Sequence, residues 1–363
     1  MRITFSGDIL CYQSQDRLCL DKNGARNYRP IFEQVKPILD KSDYVVGSLE
    51  TTFAGKSSKY TQEDISFNSP DELLDALKWV GFDMLTTANN HCFDRGFDGH
   101  KRTIDILKRK GFDFTGTRLS KTDRPYIIKD FDNIKIAFLS YTYGTNSDYN
   151  KVIIPYGCEY LVNLTRPQDP LIQRPLWKKV ARSILLPVLK RRVKYGSVED
   201  CVNGIEVENG RNVDFEDKML QVIADARSNA DIVIMCLHSG GQFNDKVGVY
   251  TNHLFDIIAN AGVDVIVCNH AHTILPIYKI GNCIIAAALG NFSFAPGEGY
   301  WVDGVNADYS ALLHLEVVDK AISEVSYTLC KCEKNELGLS VTTLAQPNSV
   351  IDKKLRSELT NIV

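Results

Sequence analysis

Short apolar runs that end in turn residues alternate along this chain with stretches of helical period. Residues 3–5 run into Gly7-Asp8, and residues 44–47 run into Ser48-Leu49-Glu50. Leu73, Leu74, Leu77 and Val80 line one face of a helix expected over 71–80. Residues 81–87 form a strand leading into Asn89-Asn90-His91, followed by a helix over 101–110 and a buried strand over 135–141. The alternation resumes with a helix at 217–228 and a strand at 231–237 ending at His238. A helix at 253–261 and a strand at 264–268 ending at Asn269-His270 come next. Residues 284–288 lead into Leu289-Gly290-Asn291-Phe292, and 311–318 and 323–329 read as closing strands. Such alternation, with no internal repeat, predicts an α/β domain with a largely parallel sheet.

The pattern breaks between about 145 and 213. Within the break, residues 174–194 carry Lys or Arg at eight positions and no acid. Leu176, Val180, Ile184 and Val188 recur every fourth position, flanked by Trp177, Leu185 and Leu189. The stretch therefore reads as a basic amphipathic helix that Pro187 kinks or ends. Three roles stand open for it: a lid that gathers an anionic substrate, a membrane-surface anchor, or a solvated insertion packed on the core. The domain is expected to span 1–332 with this helical insertion at about 145–213, leaving 333–363 as a peripheral C-terminal tail.

Composition narrows the class. An apolar content of 44% and a charged content of 24% over 363 residues are those of a globular protein with a large core. A net charge of −3 argues against nucleic acid as a partner, because phosphate binding needs a basic face. Of the ten cysteines, Cys236, Cys268 and Cys283 sit in apolar runs and read as small buried hydrophobes. Cys330 and Cys332 share a face of one strand, and no CxxC pair suggests a zinc ribbon. The chain opens directly into a strand without a charged-then-apolar leader, and no apolar run approaches the roughly 18 residues of a membrane span. A reducing cytoplasm is the expected location, with the basic helix as the feature that would bring the chain to a membrane.

The chemistry lies at the strand ends. Asp8, Glu50, Asn90, His91, His238, His270 and His272 each follow or close an expected strand. Open α/β sheets gather such ends at one edge, where ligands bind. Two carboxylates, an amide oxygen and several imidazoles suit Mn, Fe, Zn or Co better than Ca. Two divalent metal ions are therefore expected. Glu50 would bridge them, Asp8 and His272 would hold one, and Asn90, His238 and His270 the other. The His270-x-His272 spacing puts both imidazoles on one face of an extended segment. A water deprotonated between two cations would be the nucleophile, and His91 would protonate the leaving oxygen. Singly, each signal is weak, since a histidine after a strand is usually a hydrogen-bonded loop residue and an aspartate after glycine often only caps a turn. Four of seven histidines at strand ends, in company with two carboxylates, are what point to a site.

Six segments add a resemblance. Gly7-Asp8, Leu49-Glu50-Thr51, Thr87-Ala88-Asn89-Asn90-His91 with Asp94 and Gly96, His238-Ser239-Gly240, His270-Ala271-His272 and Leu289-Gly290-Asn291-Phe292 run in order over about 2–294. They resemble the capsule-synthesis family (CapA type, poly-γ-glutamate capsule) of the calcineurin-like metallophosphoesterase superfamily. The resemblance implies a four-layer α/β/β/α sandwich with metal ligands on loops at one edge of two packed sheets. It further implies a metal-dependent hydrolase, phosphoesterase-like, acting on an anionic small molecule or polymer in capsule or polysaccharide biosynthesis. An amide hydrolase or transferase acting on a poly-γ-glutamate-like polymer is an alternative. So is a non-catalytic component of a capsule assembly complex, contacted through the basic helix.

Some positions depart from the family pattern. Ser48 stands where asparagine is usual, Gln242 where a glutamate is usual, and Cys268-Asn269-His270-Ala271-His272 replaces a Gly-His-x-Pro-His style segment. Leu10, as the resemblance to the capsule family implies, stands where many phosphoesterases of the wider superfamily carry a histidine, so one metal would be weakly held. Asp94 and Gly96 would orient His91 or simply form a turn, and Asn291 would bind substrate near the metals or serve a turn. His100 and His314 are expected to be structural, and His253, Asp245 and Glu298 are left outside the site.

Overall fold

The computed structural model describes residues 1–62, 66–171, 213–294, 306–335 and 338–343. In chain order the first strands are β1 (Arg2–Ile9), β2 (Tyr44–Leu49), β3 (Met84–Thr86), β4 (Asp113–Thr115), β5 (Tyr126–Phe131) and β6 (Ile134–Thr142). They are followed by β7 (Ile232–His238), β8 (Val265–Asn269), β9 (Ile274–Ile280), β10 (Cys283–Leu289), β11 (Tyr309–Val318), β12 (Ala321–Asn335) and β13 (Gly338–Thr343). Two sheets result, one ordered β13-β12-β11-β1-β2-β3-β4 and one ordered β5-β6-β7-β8-β10-β9.

Both sheets are mixed, which corrects the expectation of one largely parallel sheet. The centres, β1 to β4 and β6-β7-β8-β10, are parallel. The flanks, β11, β12 and β13 on one sheet and β5 and β9 on the other, are antiparallel. Strands β4, β5, β9 and β13 are not evident in the apolar pattern, being short or only half-buried on one face.

Period-two alternation divides each strand between two cores. Ile3 and Phe5 of β1 and Tyr44 and Val46 of β2 pack against Ile136, Phe138, Ile232, Ile234, Val265 and Val267 of the other sheet. The intervening residues turn outward. Val45, Leu49 and Leu85 meet Leu73, Leu74 and Leu77 of the helix Glu72–Val80 and Ile106 and Leu107 of the helix Gly96–Arg109. On the opposite surface, Ala137, Leu139, Val233, Met235 and Ile266 meet Met219 and Ile223 of the helix Val213–Asn229 and Leu254 and Ile258 of the helix Val249–Asn260. Helices thus cover the outer face of each sheet, and the layers are α/β/β/α. Phe138, fully buried between the sheets beside Tyr44 and Phe5, is one whose truncation to alanine would cost about 3–5 kcal/mol.

A bulge in β1 aims the first carboxylate. Phe5 pairs with Val46 but Asp8 with Ser48, so β1 holds one extra residue at Ser6-Gly7. Beyond Phe5, β1 and β11 no longer pair directly. Residues after β10 slot between them, with Gly290 bridging Ser310 and Asn291 bridging Asp8. Asp8 N–H donates to the Gly290 carbonyl at 2.9 Å, and Phe292 N–H donates to the Asp8 carbonyl at 2.9 Å. This splice joins the two sheets where their strand ends meet. It demands glycines: a Cβ on Gly7 would lie 2.0 Å from the Gly290 oxygen, and one on Gly290 (φ 75°) would lie 2.5 Å from the Tyr309 oxygen.

β12 runs past 332 to Asn335, and β13 pairs with it over 338–343, its Val341 fully buried with Cys330 and Cys332. The basic helix at 174–194 and Glu298 lie outside the described residues. Among the described residues, no helix is long and apolar enough to cross a membrane, and the nine cysteines are free thiols.

Candidate metal centre

Glu50, one residue past β2, is the hub. Its side chain is fully buried, and neither carboxylate oxygen has a hydrogen-bond partner. A buried carboxylate without donors costs several kcal/mol unless a cation balances it. Four imidazoles surround it. Oε1 lies 3.4 Å from His238 Nε2 and 3.9 Å from both His270 Nδ1 and His91 Nε2, while Oε2 lies 3.8 Å from His272 Nδ1.

On the Oε1 side, His238 Nε2 has Asn90 Oδ1 at 2.8 Å and His270 Nδ1 at 3.1 Å. An imidazole nitrogen carries at most one proton, so it can donate to only one of these neighbours. The remaining lone pairs face one another. Donors held about 2.0–2.2 Å from a shared cation sit roughly 3 Å apart, which is the spacing found here. On the Oε2 side stand Asp8 and His272, with His272 Nδ1 3.7 Å from Asp8 Oδ2. Glu50-His238-His270 and Asp8-Glu50-His272 therefore form two buried groups, each able to hold a metal ion, that share Glu50.

Backbone geometry differs from the expected extended His-x-His segment. His270 and His272 have φ of 98° and 56°, in the left-handed region that non-glycine residues adopt at some cost. That twist, rather than strand alternation, sends the two rings to opposite oxygens of Glu50. Part of the compensation is local: His270 N–H donates to Asp8 Oδ2 at 3.0 Å, and Tyr143 and Phe243 pack on the two rings at 4.8 and 5.4 Å between centroids.

The carboxylates diverge electrostatically. Burial and the neighbouring charge of Glu50 raise Asp8 well above the carboxylate range, although Ser48 Oγ, donating at 2.8 Å, and His270 N–H oppose this. Burial also acts to raise Glu50, but His272, His238 and His270 together hold it well below its usual value. Burial pushes His270 down to about 3 and lowers His272 as well, leaving neutral imidazoles suited to ligation.

His91 lies in the same cluster with a separate tether. Its Nδ1 is 2.7 Å from Asp94 Oδ2, its N–H donates to Asn89 Oδ1 at 2.9 Å, and Phe67 packs edge-on at 4.5 Å. Burial acts to lower its pKa, but the charge and hydrogen bond of Asp94, with Glu50 beyond, leave it raised. Asp94 thus orients His91 and is itself held by Phe67 N–H at 2.5 Å and Asn150 Nδ2 at 3.0 Å. Gly96, at φ 67°, supplies the turn into its helix.

All seven strand-end residues converge, and Asn291 joins them, its Oδ1 2.8 Å from His272 Nδ1. His100 and His314 stand apart, the former stacked on Phe93 at 4.3 Å and the latter between the hydroxyls of Thr4 and Thr328. His253 pairs with Glu216 at 3.0 Å. Sequence reasoning passed over three supports. Asn89 Nδ2 donates to the Leu49 carbonyl at 2.6 Å, tying the Asn-Asn-His loop to β2. Asn269 bonds Leu289 N–H and the Ser6 carbonyl, and Tyr143 packs on His270. The two asparagines sat inside the motifs and were readable as supports; Tyr143 carried no signal.

The family model "Bacterial capsule synthesis protein PGA_cap" matches residues 2–296, a span that holds every residue of this centre. The chain belongs to that family. It is 25% identical over 297 residues to the PGA biosynthesis protein CapA of Bacillus subtilis (strain 168), covering 81% of this chain and 63% of that one. It is also 25% identical over 302 residues to the capsule biosynthesis protein CapA of Bacillus anthracis, covering 81% and 60%. The chain thus spans about three-fifths of the length of those relatives. A hypothetical protein from Thermus thermophilus is similar in structure at a TM-score of 0.46 and 11% identity, covering 91% of this chain and 99% of that one.

Proposed function

We propose that this capsule-synthesis family member is a dinuclear metal-dependent hydrolase of phosphoester or related anionic substrates. The single observation that carries the proposal is Glu50, whose two buried, undonated oxygens each face a separate set of ligand atoms. When bound, two cations at that centre would polarise a substrate oxygen and supply hydroxide near neutral pH. Asp8 and His272 would hold one, Asn90, His238 and His270 the other, with Mn, Fe, Zn or Co suited to the mixed nitrogen and oxygen donors.

His91 carries the proton chemistry. With Nδ1 engaged by Asp94, Nε2 points toward Glu50 Oε1 at 3.9 Å and is the atom free to donate. Its pKa is raised by Asp94, which favours the protonated ring, the state a general acid needs before a leaving alkoxide departs. The names of the relatives favour a second substrate class, a poly-γ-glutamate-like polymer whose amide carbonyl would occupy the same place.

Elemental analysis of protein purified without chelator, followed by aryl phosphate hydrolysis with added Mn²⁺, tests the proposal. Two equivalents of metal and turnover are expected, with His91→Ala reducing turnover about 100-fold or more at unchanged metal content. Metal-loaded protein that hydrolyses polymer amides but no phosphate mono- or diester would transfer the assignment to the second class. Loss of metal in His91→Ala would make His91 a ligand instead.

A further inference from the structure

We propose that Asn291 is a direct ligand, through Oδ1, of the cation held by Asp8, Glu50 and His272. This deepens the metal-centre reading and rests on it. The two halves of the centre are unequally supplied. One has Asn90, His238 and His270 beside Glu50, whereas the other has only Asp8 and His272. The position two residues past Asp8 offers nothing, because Leu10 is buried in an apolar cluster with Tyr12, Phe67 and Phe294.

Asn291 stands where a further donor would be needed. It is fully buried and bridges Asp8 directly through the splice between β1 and β11. Its amide orientation follows from its partners. Nδ2 donates to the carbonyls of His272 at 3.2 Å and Ala307 at 3.1 Å, so reversing the amide would press Oδ1 against two carbonyl oxygens. Oδ1 is therefore committed to face His272 Nδ1, at 2.8 Å.

That same Nδ1 faces the two carboxylates, 3.7 Å from Asp8 Oδ2 and 3.8 Å from Glu50 Oε2. As a metal ligand it carries no proton and cannot donate to Oδ1. Two lone pairs 2.8 Å apart then repel unless a cation lies between their axes. The opposite half repeats the arrangement, with Asn90 Oδ1 also 2.8 Å from His238 Nε2. Each cation would thus have one amide oxygen, at least one imidazole and a share of Glu50.

Cobalt titration of the metal-free chain, followed by calorimetry and absorption, tests the assignment. Wild type should bind two Co²⁺. Asn291→Ala should weaken one of the two by about 10–100-fold or more and leave the other unchanged. Asn291→Asp, which keeps an oxygen donor, should still bind both. Asn291→Cys should add a near-ultraviolet thiolate-to-cobalt charge-transfer band absent from wild type, which only a direct bond produces and which stays informative if the alanine variant fails to fold. Two Co²⁺ bound by Asn291→Cys without that band, or by Asn291→Ala at wild-type affinity, overturns the ligand role and leaves the dinuclear centre standing. Fewer than two Co²⁺ in wild type overturns both.

Discussion

His91 Nδ1 and Asp94 Oδ2 lie 2.7 Å apart, and this contact turns Nε2 toward Glu50 while raising the pKa of the ring. Because Asp94 raises the pKa of His91, Asp94→Asn should lower it. A general acid works only while protonated, so activity is lost as pH rises through its pKa. The alkaline limb of the pH–rate profile should move to lower pH in the variant, with substrates having poor leaving groups losing most turnover. An unmoved limb would remove His91 from the acid role.

Glu50→Gln keeps the shape of the hub but gives up its charge and one oxygen acceptor. Because both halves of the centre share this residue, metal content should fall to one equivalent or fewer, whereas replacing His272 should affect one site more than the other. Elemental analysis of the two variants side by side checks this. Chelation of wild type should lower the unfolding midpoint, since a cation present at about 100 times its Kd stabilises by about 2.7 kcal/mol.

The splice between the sheets should be intolerant of a single methyl group. Gly7→Ala places a carbon 2.0 Å from the Gly290 backbone oxygen, which accepts the Asp8 N–H at 2.9 Å. Destabilisation of at least about 3 kcal/mol is expected, at the upper end of overpacking costs. Gly24→Ala, where nothing lies within 4 Å of the new Cβ, isolates the cost of positive φ alone. Denaturant midpoints of the two variants give the comparison, and equal losses would count against the splice.

Burial lowers His100 to about 4, and burial together with the charge of Arg2 lowers His314 to about 4. In an unfolded chain, histidines titrate near their ordinary value of about 6.5. Between those values the unfolded chain binds protons that the native state refuses, so stability is present above about 6.5 and is lost as pH falls toward about 4. His100→Gln cannot titrate, so its stability deficit relative to wild type should shrink between about pH 7 and about pH 5. A constant deficit would show that His100 is not buried neutral.

Much of this centre was legible because its chemistry sits in short motifs at strand ends. Asp8, Glu50, His238 and His270 each close or follow a strand, and period two placed the apolar residues of β6, β7 and β8 on their cores. Less was legible where pairing is distant. β1 lies beside β11, some three hundred residues away, and the half-exposed strands β5 and β9 offered no clean apolar run. Residues 338–343 looked polar and terminal because only one face of an edge strand needs to be apolar.

By itself, the sequence determined which donor atoms are present, that they lie at strand ends, and that an α/β scaffold carries them, since residue type and hydrophobic period are local properties. The tertiary structure alone decided which oxygen of Glu50 each histidine faces, how the His270-Ala271-His272 segment twists, and that Asn291 presents its amide oxygen to His272. Those relations depend on a one-residue bulge, a glycine-to-glycine approach between two sheets and left-handed backbone angles. None of these is set by neighbours in the chain; each arises from packing contacts between residues hundreds of positions apart.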